Sequence, residues 1–127
     1  MAISTGSPLT FSLAAAHDDY SLACGNSGFA DVAFAWTATS SGTATAISRG
    51  VSTDYDTILS AFSGVDCASP AVACNDDDST RTGGLGSAID FPVSAGVTYY
   101  LVVAAYHDPP EPEPVQLVVD VTSAAPP

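Results

Sequence analysis

The densest chemistry in this 127-residue sequence is carboxylate. Asn75, Asp76, Asp77, Asp78 and Ser79 follow one another, and Asp54 and Asp56 flank Tyr55. Crowded carboxylates repel unless a cation or solvent screens them, and Ca²⁺ takes about six to eight hard oxygen donors. Asp54, Asp56, Asn75, Asp76, Asp77 and Asp78 are therefore the candidate metal ligands, with calcium as the candidate cofactor. The pattern is no EF-hand, because the glycine-centred acidic loop with its closing glutamate is missing. An acidic turn is the competing reading, in which Asn75 and an aspartate hydrogen-bond nearby backbone N–H groups.

A second set is aromatic. Tyr55, Tyr100, Tyr106 and His107 are the candidate ligand-binding residues: an aromatic face stacks on the apolar patch of a sugar or peptide, and a polar tip sets its orientation. Alternation along 97–106 sends Tyr99, Leu101 and Val103 to one side and Tyr100, Val102, Ala104 and Tyr106 to the other. Trp36 shares its side with Val32 and Phe34 and reads as core. For Tyr100 and Tyr106 the competing role is packing beneath the proline-rich stretch 107–114.

Catalytic equipment is not legible. His17 and His107 each precede an aspartate, yet no Gly-x-Ser-x-Gly elbow accompanies them and no serine stands in a recognisable nucleophile context. Glu111 and Glu113 invite comparison with the paired carboxylates of glycoside hydrolysis, but they lie among prolines with no apolar pocket to raise a pKa. The chain reads as a non-enzyme.

Three cysteines occur, Cys24, Cys67 and Cys74. Cys67 and Cys74 enclose six residues around Pro70, a spacing suited to a local staple in an oxidising compartment. The chain-entropy model gives such a ring about 2.5 kcal/mol. Cys24 is the odd one, buried and free or paired outside this chain. A zinc site competes, but the spacings match no common zinc pattern and both histidines are remote in sequence.

The elements that must position these groups are strands. No window repeats apolar residues at helical spacing between caps, whereas period-two and β-branched runs recur: Leu9 to Leu13, Asp31 to Ala38, Thr43 to Ser48, Thr57 to Phe62, Ala88 to Val93, Val97 to Tyr106 and Val115 to Val121. Ser40-Ser41-Gly42 predicts a hairpin between the second and third runs. The length of Val97 to Tyr106 predicts a central strand, and four prolines make 107–114 a loop. Asp56 and Thr57 are expected to tie the cystine loop to the sheet. The fold class is all-β, a sandwich of jelly-roll type with about eight antiparallel strands. One domain spans 1–127, its core at about 9–122 and a linker-like tail at 123–127.

Charge bounds the partners. Fourteen acidic residues against Arg49 and Arg81, with no lysine, give a formal net charge of −12. Phosphate backbones and anionic membrane surfaces repel such a chain, so nucleic acid is excluded as a partner. No apolar run is long enough to span a bilayer, and no signal peptide is visible, so the chain reads as a domain cut from a longer exported protein.

In order along the chain, Asp31-Val-Ala-Phe-Ala-Trp-Thr-Ala, the Gly42 turn, Tyr55-Asp56-Thr57-Ile58-Leu59, Cys67 with Ala73-Cys74-Asn75-Asp76-Asp77, Ser87-Ala88-Ile89 and Ala95-Gly96-Val-Thr-Tyr-Tyr-Leu-Val-Val resemble the bacterial pre-peptidase C-terminal domain. The match spans about Leu9 to Thr122. The resemblance implies a β-sandwich module appended to secreted hydrolases and surface proteins, some relatives binding collagen or chitin and some binding calcium. The Pro-Glu-rich 107–114 departs from the Gly-rich turn usual there. Together these lines predict a secreted or cell-surface accessory module that binds an extracellular polysaccharide or fibrous protein, beside neighbouring domains of a longer chain. The alternative is a structural or assembly unit, such as a spacer, propeptide or repeat in an adhesin or filament, meeting its neighbours through edge strands or linkers. The calcium reading makes its own prediction: adding Ca²⁺ raises the melting temperature and a chelator reverses the rise. An identical transition with and without calcium removes the claim.

Overall fold

Alternation decides which side of each strand meets the interior, and the computed structural model shows where each side goes. It describes residues 3–13, 31–51, 55–63, 72–75, 79–82, 84–105 and 113–123. Eight strands and one helical turn follow in chain order among these residues: β1 (Leu9–Phe11), β2 (Asp31–Thr37), β3 (Gly42–Gly50), β4 (Thr57–Phe62), β5 (Ala73–Asn75), the turn α1 (Ser79–Thr82), β6 (Ser87–Val93), β7 (Thr98–Ala105) and β8 (Val115–Ser123). They make two four-stranded sheets, β1-β8-β3-β6 and β2-β7-β4-β5. Every pairing is antiparallel. The first strand lies beside the last and successive strands mostly change sheet, which is the jelly-roll arrangement.

Two expectations change here. Ser40-Ser41-Gly42 does reverse the chain, but β2 pairs with β7 while β3 pairs with β6 and β8, so the turn crosses between sheets and makes no hairpin. Turn chemistry specifies a reversal; it does not specify whether the returning strand lies beside its predecessor or opposite it. The Ser94-Ala95-Gly96 turn crosses likewise, with Gly96 at φ 83°, where a side chain would be strained. β5 is the strand that no alternation announced, because three residues are too few to show a period. β7 lies between β2 and β4, as its length predicts.

The two inner faces share one core. Phe34 and Trp36 of β2, Leu59 of β4, and Leu101 and Val103 of β7 meet Ala44 and Ala46 of β3, Ile89 and Phe91 of β6, and Leu117 and Val119 of β8. Rings fill the middle: Trp36 meets Phe91 edge-on at 6.3 Å and Tyr99 at 5.8 Å, and Phe91 meets Tyr99 at 5.6 Å. Ala44 stands directly opposite Phe91 in the sheet, leaving the volume a large ring needs. The polar tips are used as well. Tyr99 Oη accepts the backbone N–H of Ser94 at 2.9 Å, fixing the β6–β7 turn, and Trp36 Nε1 donates to Thr5 Oγ1 at 2.9 Å.

At one end the core turns polar. Ser48 and Ser87 sit side by side in one sheet, and Thr57 reaches them from the other; all three are fully buried. Ser87 Oγ donates to the Thr57 carbonyl at 2.6 Å, Thr57 Oγ1 lies 3.1 Å from Ser87 Oγ, and Ser48 Oγ lies 2.9 Å from Thr57 Oγ1. The distances fit a one-way chain in which each hydroxyl donates once, Ser48 to Thr57 to Ser87 to backbone. Thr57 thus ties sheet to sheet, while the expected tie of Asp56 and Thr57 to the cystine loop falls on a loop outside the described residues. Gly86 belongs to the same joint: a Cβ there would meet Ser48 O at 2.7 Å and Arg49 Cβ and Thr82 Cβ at 2.9 Å, so only glycine admits the close approach.

Burial separates this joint from surface hydroxyls. Thr57→Val strands buried partners and is expected to cost about 1–3 kcal/mol in urea unfolding. Thr45→Val, which removes an exposed bond to Asp90 Oδ1, is expected to cost under about 1 kcal/mol. Equal losses would mean that the joint carries no special load.

Candidate functional site

Each proposed ligand has an address, and few of the addresses coincide. Of the metal set, Asp54, Asp76, Asp77 and Asp78 lie outside the described residues. Asn75 Oδ1 accepts the backbone N–H of Ala88 at 3.2 Å, a bond from β5 to β6 and not the local bond of an acidic turn. Asp56 is half-buried immediately before β4. Among the described residues no three His, Cys, Asp or Glu side chains gather closely enough to hold a metal ion.

Cys74 is disulfide-bonded. Cys24 and Cys67 lie outside the described residues, and the expected Cys67–Cys74 pairing lies there with them. An oxidised sulfur carries no proton, so the Ser60 hydroxyl, 2.9 Å from Cys74 Sγ, is the donor between them. His17, His107 and Glu111 are outside the described residues too; Glu113 is half-buried just ahead of β8.

The aromatic set divides. Tyr55 is completely buried in the core, so it is no surface platform. Tyr106 and His107 lie outside the described residues. Tyr100 is half-buried on the outer face of the β2-β7-β4-β5 sheet, directly between Ala35 of β2 and Phe62 of β4.

That outer face has two halves. It is closed on β4, where Ile58, Ser60 and Phe62 are all buried, and at Val102 and Ala104 of β7 and Asp31 of β2, which are buried too. On β2 it is partly open: Ala33 and Ala35 are half-buried and Thr37 is exposed, with its Oγ1 2.8 Å from Thr98 Oγ1 on β7. Tyr100 thus has a small neighbour, Ala35, on its β2 side and a large one, Phe62, on its β4 side. Next to them the segment before β1 runs along the β2 edge, held by Ile3 N–H donating to Ala35 C=O at 3.1 Å and by the Trp36–Thr5 bond. Between this segment and β2 lies a groove of about 560 Å³, lined by Ile3, Ser4, Thr5, Ala35, Thr37 and Thr39. Its size falls within the usual range of ligand sites, about 300–1,000 Å³. Sequence reasoning missed this groove, since isolated Ser and Thr residues on two distant segments carry no motif.

Sheet edges, the other common docking surface, are blunted. β1 and β5 have three residues each. On β6 the groups facing away from β3 belong to Ala88, Asp90 and Pro92; Asn75 takes the Ala88 N–H, Pro92 has none, and Asp90 places a charge there. On β2 the carbonyl of Ala35 is occupied by Ile3.

No protein-family model matches the chain, and no curated protein matches it in sequence. Solved structures match its fold. The pre-peptidase C-terminal domain of a collagenase from Bacillus anthracis superposes with a TM-score of 0.61 at 14% identity, over 94% of this chain and 92% of that one. A surface-associated copper-binding protein of Methylomicrobium album gives 0.55 at 10% identity, over 94% and 98%. A periplasmic inhibitor of g-type lysozyme from Aeromonas hydrophila gives 0.54 at 14%, over 95% and 97%. At these identities the likeness establishes the fold, and the first of the three is the same kind of domain that the sequence resembles.

The edge guards are testable. A variant carrying Asn75→Ala and Pro92→Thr frees two N–H groups on β6 and is expected to self-associate with rising concentration in sedimentation, where the parent protein does not. An unchanged sedimentation profile would show that the guards are incidental.

Proposed function

We propose that this chain is a noncatalytic accessory module of a secreted or cell-surface protein, and that it binds an extracellular polymer through the outer face of β2 and β7. The observation that carries this reading is the position of Tyr100: a half-buried ring between Ala35 and Phe62, its β2 flank lined with small side chains and continuing into a groove. A flat, partly apolar strip with one aromatic suits an extended chain better than a compact metabolite. Fold likeness to a collagenase's pre-peptidase C-terminal domain supports an accessory role beside other domains. The same likeness, with that to periplasmic and surface-associated proteins, supports an extracytoplasmic location. Among the described residues no helix is long and apolar enough to cross a membrane.

Calcium belongs to the proposal as a loop-ordering ion held by Asp54, Asp56, Asp76, Asp77 and Asp78, supported by a net charge of −12 with only two cationic side chains to offset it. The Asn75 oxygen is left to Ala88 in this scheme. Cys67 closing on Cys74 is the pairing proposed for the disulfide. The alternative of assembly by strand addition is weakened by the blunted edges.

Retention on insoluble polysaccharides and on fibrillar collagen tests the binding role. One of these matrices is expected to retain the protein, and Tyr100→Ala is expected to weaken retention about three- to tenfold, as loss of one aromatic contact does. Retention that ignores the substitution would move the site elsewhere, and no retention on any matrix would leave only a structural role.

A further inference from the structure

We infer that the groove along the β2 edge takes a neutral polysaccharide chain, an inference that rests on the polymer-binding role proposed above and names its ligand class. Electrostatics argues first. Fourteen carboxylates are spread over the sequence, yet among the described residues none of the six that line the groove is ionisable. A groove without charge gains nothing from an ionic polymer, and an anionic one would also meet the repulsion of the whole molecule.

Hydrogen-bonding chemistry argues second. Four of the six lining residues, Ser4, Thr5, Thr37 and Thr39, carry hydroxyls, and the remaining two, Ile3 and Ala35, are apolar. A hydroxyl both donates and accepts, which matches the hydroxyls of a sugar ring whichever way each is turned. Thr5 is already oriented: its oxygen accepts from Trp36 Nε1, leaving the Thr5 proton for another acceptor. Thr37 and Thr98 share one hydrogen at 2.8 Å, so the pair retains a second proton to offer. Ala35, common to the groove and to the flank of Tyr100, joins this largely apolar, hydroxyl-studded lining to the aromatic ring, so a sugar chain long enough to leave the groove meets the ring next.

A peptide strand is the rival occupant, because the groove follows a sheet edge. Strand addition needs a run of unoccupied edge groups. Ile3 holds the Ala35 carbonyl in the middle of that run, and the segment carrying Ile3, Ser4 and Thr5 stands where the added strand would lie.

Affinity electrophoresis of the intact chain separates the outcomes. The probes are a mixed-linkage β-glucan, a galactomannan and hydroxyethylcellulose as neutral polymers, alginate as the anionic one and gelatin as the fibrous protein. At least one neutral polymer is expected to retard the protein, with alginate and gelatin inert. Ser4→Ala combined with Thr39→Val, both at exposed positions, is expected to weaken that retardation about tenfold through two lost hydrogen bonds, with the melting temperature unchanged. Neutral-polymer binding that survives the double substitution would overturn the groove as the site. Retardation by gelatin or alginate alone would overturn the ligand class while leaving the polymer-binding role intact. No retardation in any gel would overturn both.

Discussion

Each strand of this protein must surrender one face to a shared apolar interior, and almost everything else follows from that constraint. Two antiparallel sheets satisfy most of their backbone groups within themselves, so side chains do most of the work of holding one sheet over the other, helped by the 3–6 segment, whose backbone bonds to Ala35 of one sheet and Val119 of the other. Here that work falls to a ring cluster around Trp36 and to the aliphatic residues beside it, closed at one end by Ser48, Thr57 and Ser87. The hydroxyls do what packing cannot. Apolar contacts tolerate sliding, whereas hydrogen bonds weaken steeply with distance and angle, so the hydroxyls of Ser48, Thr57 and Ser87 hold Thr57 in place against the opposite sheet.

With the inward faces committed, function is left to the outer faces, the edges and the loops. The edges are guarded by brevity, by Pro92, by an Asn75 amide and by the segment that carries Ile3. The outer face of the other sheet, where Thr45 meets Asp90, is polar and carries a hydroxyl–carboxylate bond in place of an aromatic. What is left is the strip along β2 and β7. Its opening lies at Ala33, Ala35 and Thr37 of β2 and at Tyr100, where Ala35 stands across the ring from Phe62 of β4.

Much of this was legible from residue order, for identifiable reasons. Seven runs alternated over enough residues to declare themselves, and the face on which Trp36, Tyr99 and Leu101 sit could be counted from period two. β5 could not, since Ala73-Cys74-Asn75 offers no alternation to count. The mistaken hairpin at Ser40-Ser41-Gly42 shows a limit of local chemistry: turn residues encode a change of direction, and the choice of sheet comes from distant strands that the turn never touches. Tyr55 lies outside any strand, so no alternation marks its ring as inward, and its aspartate neighbours give it the look of a surface residue. The groove was invisible for a different reason. Its walls come from residues 3–5 and from β2, and only folding brings these together.

The central claim is that a ligand meets this protein on the open half of one sheet face. Backbone amide shifts in a two-dimensional NMR titration, run in turn with hydroxyethylcellulose fragments and gelatin peptides, test it most directly. Whichever binds is expected to move the resonances of Ser4, Thr5, Ala35, Thr37, Thr39 and Tyr100 together while those of Thr45, Asp90 and Asp120 stay in place. Shifts concentrated on those last three, or scattered evenly over both sheets, would contradict it.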